Sequence, residues 1–340
     1  MTITLDDVWS LLHLPITRQF CSTENLEYED LVEILTTLFG VDRAMACNEL
    51  NQSRGGHVKL SWLRELYDSC CDNELWEFAT HAYLLHLVGC TIFANKRATY
   101  VCTHYLELFR DLPSCYRYAW GVSAFVYLYE QLGDANFANT KQLVRYLPLL
   151  QAWIYEYFPT MGRKQLRDTY VETKPRARRY IIGRTTSAIA DVRVRLDVLT
   201  YDEVIWNPYV AHRAGRQLVV SAMFSGYLRL GILVHRHLLE RVLRQFGFMQ
   251  PIPRPPTSLP MLDFAIIDDR WRDHDQFVVV QVVPAPTPFS CSDGYLQWFQ
   301  RVSHPYILRR VEVDRPSLVI MPRLRLNLPD DIPAQRTSAS

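Results

Sequence analysis

Apolar residues recur through the first half of the chain with the period of helices. Thr4 precedes LDDVWSLLHL, with Asp6 and Asp7 in the first turn where the helix dipole favours acids, and Pro15 closes the segment. Residues 28–38 (YEDLVEILTTL) keep helical spacing and meet a stop at Gly40. Residues 59–70 (KLSWLRELYDSC) predict a third helix, with Ser61 as candidate cap and Leu63, Leu66 and Tyr67 on one face. Residues 74–93 hold few polar groups and predict a long helix central to the core. Further helices are expected over 101–109 and over 120–132, the latter stopped by Gly133. Thr140 caps a run to Tyr157. Pro148 lies inside it, so either that helix kinks or two shorter helices abut.

The second half is mixed. Thr200 and Glu203 form a T-x-x-E capping pair before VIWNPY. Periodicity does not decide between strand and helix for 217–231. Residues 239–246 (LERVLRQF) predict a helix stopped by Gly247, and 251–260 a proline-rich extended connector. Residues 276–283 (QFVVVQVV) have strong β-propensity, and 295–302 predict a helix. The fold class expected is mainly α, a multi-helix globular domain with a minor β or extended component in the C-terminal half. Residues 1–310 form the domain, with a helical half 1–160 and a mixed half 161–310; residues 311–340 are a partly disordered extension.

Composition narrows the picture. The 340 residues are 49% hydrophobic and 21% charged, enough apolar material for a sizeable core. A net charge of +1 supplies no global pull toward nucleic acid or membrane. The eight cysteines contain no CxxC pair and fit free thiols in a reducing compartment. The N-terminus carries acids where a signal peptide needs bases. The longest apolar run, 83–94, is too short for the roughly 20 residues a bilayer span requires. A soluble intracellular protein with no membrane contact is expected.

Motifs for chemistry are sparse. Neither a G-x-x-x-x-G-K-[ST] nor a G-x-G-x-x-G phosphate loop occurs, nor a G-x-S-x-G elbow. His235 and His237 form an H-x-H pair with no third ligand nearby in sequence. The carboxylate pairs, Asp6–Asp7 among them, are adjacent residues that point apart or serve as caps. One segment stands out. Residues 161–195 hold ten basic residues, including Arg163, Arg167, Arg176, Arg178, Arg179 and Arg184, against Asp168, Glu172 and Asp191. It reads as a surface segment: either a patch for nucleic acid or an acidic partner, or a solvated face with internal salt bridges.

Several segments in order resemble the plant mobile domain of the MAINTENANCE OF MERISTEMS-like family, covering roughly residues 2–310. They are TITLDDV with LPI (2–16), LSWLRELY (60–67), HAYLLHLVGCTIFANK (81–96), THYLELFRDL (103–112), YAWGVSAFVYLYEQL (118–132), LPLLQAWIYEYFP (147–159), VIWNPY (204–209), ERVLRQFGFMQPIPRPP (240–256) and GYLQWFQRVSHPYI (294–307). The family's leading helical segment is missing and the glycine after LPI is replaced by Thr17-Arg18-Gln19, so the domain reads as trimmed, either a functional host copy or a transposon-carried one. The resemblance implies a nuclear protein of transposable-element silencing, genome stability and meristem maintenance, partnered by a phosphatase-seven-type protein phosphatase. The family's "aminotransferase-like" label is not credited. Of five lysines (Lys59, Lys96, Lys141, Lys164, Lys174) none sits beside a phosphate loop, so no cofactor and no catalytic or metal residue is expected. Arg241, Arg244 and Gln245 are candidates for an internal polar network or a partner contact, and Trp62, Trp120, Trp153, Trp206 and Trp298 for core packing.

Overall fold

A computed structural model describes residues 1–23, 26–53, 56–94, 99–135, 147–162, 164–181, 189–255 and 263–303. Among them are ten α-helices and three two-stranded antiparallel sheets, a mainly α architecture. Arg163, Arg184, Thr140 and the extension 311–340 lie outside the described residues.

Helix α1 (Leu5–Leu12) starts as its sequence dictates. Thr4 Oγ1 accepts from Asp7 N at 3.3 Å, while Thr4 N donates to Asp7 Oδ2 at 2.6 Å. Leu5, Val8 and Leu11 are fully buried, so α1 is an interior strut. Helix α2 (Tyr28–Phe39) ends where Gly40 takes a left-handed φ of 66°. Asp42 caps α3 (Arg43–Gln52) by accepting from Met45 N at 2.8 Å. Strands β1 (His57–Lys59) and β2 (Tyr100–Cys102) pair across the helical hairpin α4 (Leu60–Asp72) and α5 (Trp76–Cys90). Helix α6 (Trp120–Ala135) and α7 (Leu147–Tyr157) follow; Pro148 falls in the first turn of α7, where its missing N–H costs nothing.

The later part has little regular structure. Strands β3 (Gln165–Leu166) and β4 (Tyr180–Ile181) form a short ribbon, then come α8 (Ile189–Asp197), the hairpin β5 (Gly226–Leu230) with β6 (Leu233–His237), α9 (Phe264–Arg272) and α10 (Tyr295–Val302). The undecided stretch 217–231 is thus a 3-10 turn followed by a strand. One apolar cluster runs from Ile3 to Trp271 and takes residues from both halves of the chain. No helix among the described residues is long and apolar enough to cross a membrane.

Several expectations are corrected. Residues 101–109 are the end of β2 and a 3-10 turn (Thr103–Phe109), because Val101 pairs with Val58 across the hairpin. Residues 276–283 form no strand. Apart from a single bridge, Phe224 to Val278, they find no partner strand, and Val280 and Val283 are exposed. Residues 239–246 are two 3-10 turns rather than one helix, though Gly247 does take the left-handed stop at φ 81°. Helix α6 runs through Gly133, and Lys59 rather than Ser61 sits at the start of α4. Helix α5 is not wholly interior: Ala79, Ala82, Leu85 and Val88 are buried, but Trp76, Tyr83 and Leu87 face outward. The five tryptophans named above are half-buried; the deeply buried one is Trp271.

Candidate interaction site

The basic segment divides. Arg176 is buried: its Nε donates to Glu156 at 2.9 Å and its Nη1 to Glu172 at 2.8 Å, while Tyr180 OH donates to the same Glu156 oxygen at 2.7 Å. Arg179 is half-buried. Arg167 and Arg178 are exposed and line a groove of about 450 Å³ floored by Leu11, Leu12, Ala177 and Tyr180. Of the four described, Arg176 is part of an internal ion pair, Arg179 is half-buried, and Arg167 and Arg178 rim a partly apolar groove; Arg163 lies outside the described residues.

The residues of the RVLRQFG block separate as well. Gln245 is buried and holds the backbone of Thr2 from both sides, accepting from its N at 2.9 Å and donating to its O at 2.8 Å. The Arg244 guanidinium lies 4.3 Å from the Trp206 ring centre and 5.3 Å from that of Tyr295. Arg241 is exposed at the mouth of a cavity of about 160 Å³ shared with Thr2, Tyr129 and His237. Two of the three serve an internal network and one reaches solvent.

Other groups with chemical potential are also committed. Asp6 pairs with Arg213 at 2.5 Å, and Asp7 accepts from Thr4 and from Tyr209 OH at 2.8 Å. Burial and the neighbouring Asp6 charge push the Asp7 carboxyl up to about 7. His235 bonds Glu130 at 2.8 Å. His237 points into the core, donating from Nδ1 to Phe224 O at 2.6 Å and accepting from Leu5 N at Nε2, so the two histidines share no ligand. Burial holds the His237 imidazole down at about 4, in its neutral form. A cavity of about 530 Å³ is lined by Arg18, Arg229, Asp268, Trp271, Arg272 and His274. Its basic side chains are occupied: Arg229 by Asp268, Arg272 by Asp269, Arg18 by Tyr116 O and His274 by Trp271 O.

An apolar face also points outward. On α5, Trp76 is 62% exposed, Tyr83 50% and Leu87 40%. Their spacing of seven and then four residues puts them on one face. Tyr67 of α4 adds its ring 5.8 Å from that of Tyr83, beside a cavity of about 270 Å³ lined also by Arg64, Asp68 and His86.

A family model described as plant mobile domain matches residues 1–300. The chain belongs to the plant mobile domain family. It is 29% identical over 331 residues to Protein MAIN-LIKE 1 of Arabidopsis thaliana, covering 89% of this chain and 62% of that one. Protein MAINTENANCE OF MERISTEMS from the same plant is 27% identical over 336 residues, covering 92% and 67%. A third Arabidopsis relative, named serine/threonine-protein phosphatase 7 long form homolog, is 24% identical over 347 residues, covering 90% of this chain and 25% of that protein. No solved structure matches.

In this plant mobile domain the outward face of α5 is the feature that the sequence reading missed. Residues 74–93 read as central to the core because a helix apolar on nearly every side gives no stripe from which to choose a buried face. The available signal was the spacing of Trp76, Tyr83 and Leu87 by seven and four residues, which places them on one face of the helix.

Proposed function

We propose that this plant mobile domain is a non-catalytic nuclear interaction module that docks a phosphatase-seven-type protein phosphatase, within a pathway of transposable-element silencing, genome stability and meristem maintenance. The observation that carries this reading is the outward face of Tyr67, Trp76, Tyr83 and Leu87. An exposed cluster of aromatic residues is the usual core of a protein interface, where Trp and Tyr supply most of the binding energy. A phosphatase-named relative in which this domain type occupies a quarter of the chain supports that choice of partner. Asp6, Asp7, His237, Arg176 and Arg229, buried charged or titratable groups described above, are engaged in internal pairs, which favours binding over catalysis.

The test is capture of a purified plant phosphatase of that type by the intact chain, compared with a Trp76→Glu/Tyr83→Glu variant. Both positions face solvent, so folding by circular dichroism is expected to be unchanged while affinity drops by a factor of ten or more. Equal binding by both proteins, or none by the wild type, sinks the reading. Binding of duplex DNA at low salt, lost on Arg167→Glu/Arg178→Glu, is the outcome that would favour a nucleic-acid role instead.

A further inference from the structure

We propose that His13 and His212 form a site for a divalent transition metal, with zinc as the type ion and Glu172 as the carboxylate behind it. The Nε2 atoms of the two imidazoles stand 3.3 Å apart. Two zinc–nitrogen bonds of about 2.0–2.1 Å at the tetrahedral angle place their nitrogens roughly 3.3 Å apart, so the pair already has the spacing of two zinc ligands.

Three further features orient the pair. His212 is fully buried, and its Nδ1 donates to Glu172 Oε2 at 3.0 Å. That bond fixes the tautomer, leaving the Nε2 lone pair directed at His13; a carboxylate behind a histidine is the common outer shell of a metal site. Glu172 is itself held by Arg176 at 2.8 Å and by Tyr170 OH at 3.1 Å. His13 is the C-cap of α1, with φ 56°, the left-handed conformation in which helices commonly end. The fold maintains that conformation, and the ring it carries sits 5.5 Å centre to centre from His212.

The chemistry selects among cations. Among the described residues no three His, Cys, Asp or Glu side chains converge, so the chain supplies two nitrogen ligands and leaves the other positions to water or to a donor from a bound molecule. Magnesium and calcium require oxygen ligands, and the nearby Arg216, stacked over Trp9, opposes binding by charge alone. Zinc, nickel and cobalt accept imidazole and tolerate such a site.

The experiment is calorimetric titration of the chelator-stripped full chain with zinc chloride, in parallel with His13→Ala and Glu172→Gln. Thiols also bind zinc, so the readout is the difference between variants. His13→Ala is expected to lose one equivalent. Glu172→Gln is expected to retain it at affinity lowered by roughly 10- to 100-fold, the usual effect of removing such a carboxylate. Magnesium chloride is expected to give no saturable heat. Equal zinc stoichiometry in the wild type and His13→Ala overturns the site, because it leaves the two imidazoles as a simple hydrogen-bonded pair. Unchanged affinity in Glu172→Gln overturns the part assigned to the carboxylate.

Discussion

Asp7 shows how a single residue serves local and global structure together. Its Oδ2 closes the capping box of α1, and its Oδ1 accepts from Tyr209, 202 residues away. Among the described residues no cation pairs with it; full burial and the adjacent Asp6 raise its pKa from 3.8 to about 7. The sign of the linkage follows. Between about pH 4 and pH 7 the folded chain holds a proton at Asp7 that the unfolded chain has released. The stability this confers is complete below the unfolded value, declines as pH rises, and is gone above about pH 7. Asp6, also raised by burial against the pull of Arg213, acts with the same sign. Asp7→Asn is therefore expected to cost more at pH 5 than at pH 8, by roughly 2 kcal/mol. Urea midpoints of both proteins across that range provide the check. Parallel pH profiles would mean that Asp7 does not titrate in this window.

At the scale of elements, the packing of α5 against β2 turns on Gly89. A Cβ at this position would lie 2.7 Å from Val101 Cβ and 3.0 Å from Leu60 Cδ2. Helix propensity alone favours alanine by about 1 kcal/mol, whereas overpacking costs about 1–3 kcal/mol. Gly89→Ala is thus expected to destabilise by up to about 2 kcal/mol in urea unfolding, and a neutral or stabilising effect would show that α5 and β2 have room to part. The same contact explains what was legible in the sequence. α1 and α2 could be read because their signals, Thr4 with Asp7 and Gly40, lie within a few residues of the elements they bound. Helix α3 was missed because among its residues only Ala46, Glu49 and Leu50 are buried, too few for a stripe. β2 reads as helix in the sequence because its partner His57–Lys59 lies some 40 residues earlier in the chain. Of the site, the aromatic residues were visible but not their exposure. The pairing of His13 with His212 spans 199 residues and leaves no local trace.

Across the whole molecule, the N-terminal strut ties the two halves together. α1 packs against α6 and α7, while Asp6 and Asp7 reach Arg213 and Tyr209, and Gln245 holds Thr2. The apolar cluster around these contacts includes Phe125 of α6 and Leu228 of β5 alike. Cutting the chain near residue 160 would leave Asp6, 2% exposed in the intact fold, without its guanidinium. Removing one partner of a buried ion pair costs about 3–5 kcal/mol. Loss of β5 against α6 strips further apolar contacts from a domain whose total stability is of the order of 5–15 kcal/mol. Residues 1–160 expressed alone are therefore expected to show helical circular dichroism without a cooperative transition. The intact chain is expected to unfold in one step, with tryptophan fluorescence and circular dichroism giving coincident curves. Two separated transitions in the intact protein, or a sharp one in the fragment, would mean that the helical half sustains its own core and that the Asp6–Arg213 and Gln245–Thr2 contacts join two independently stable bodies.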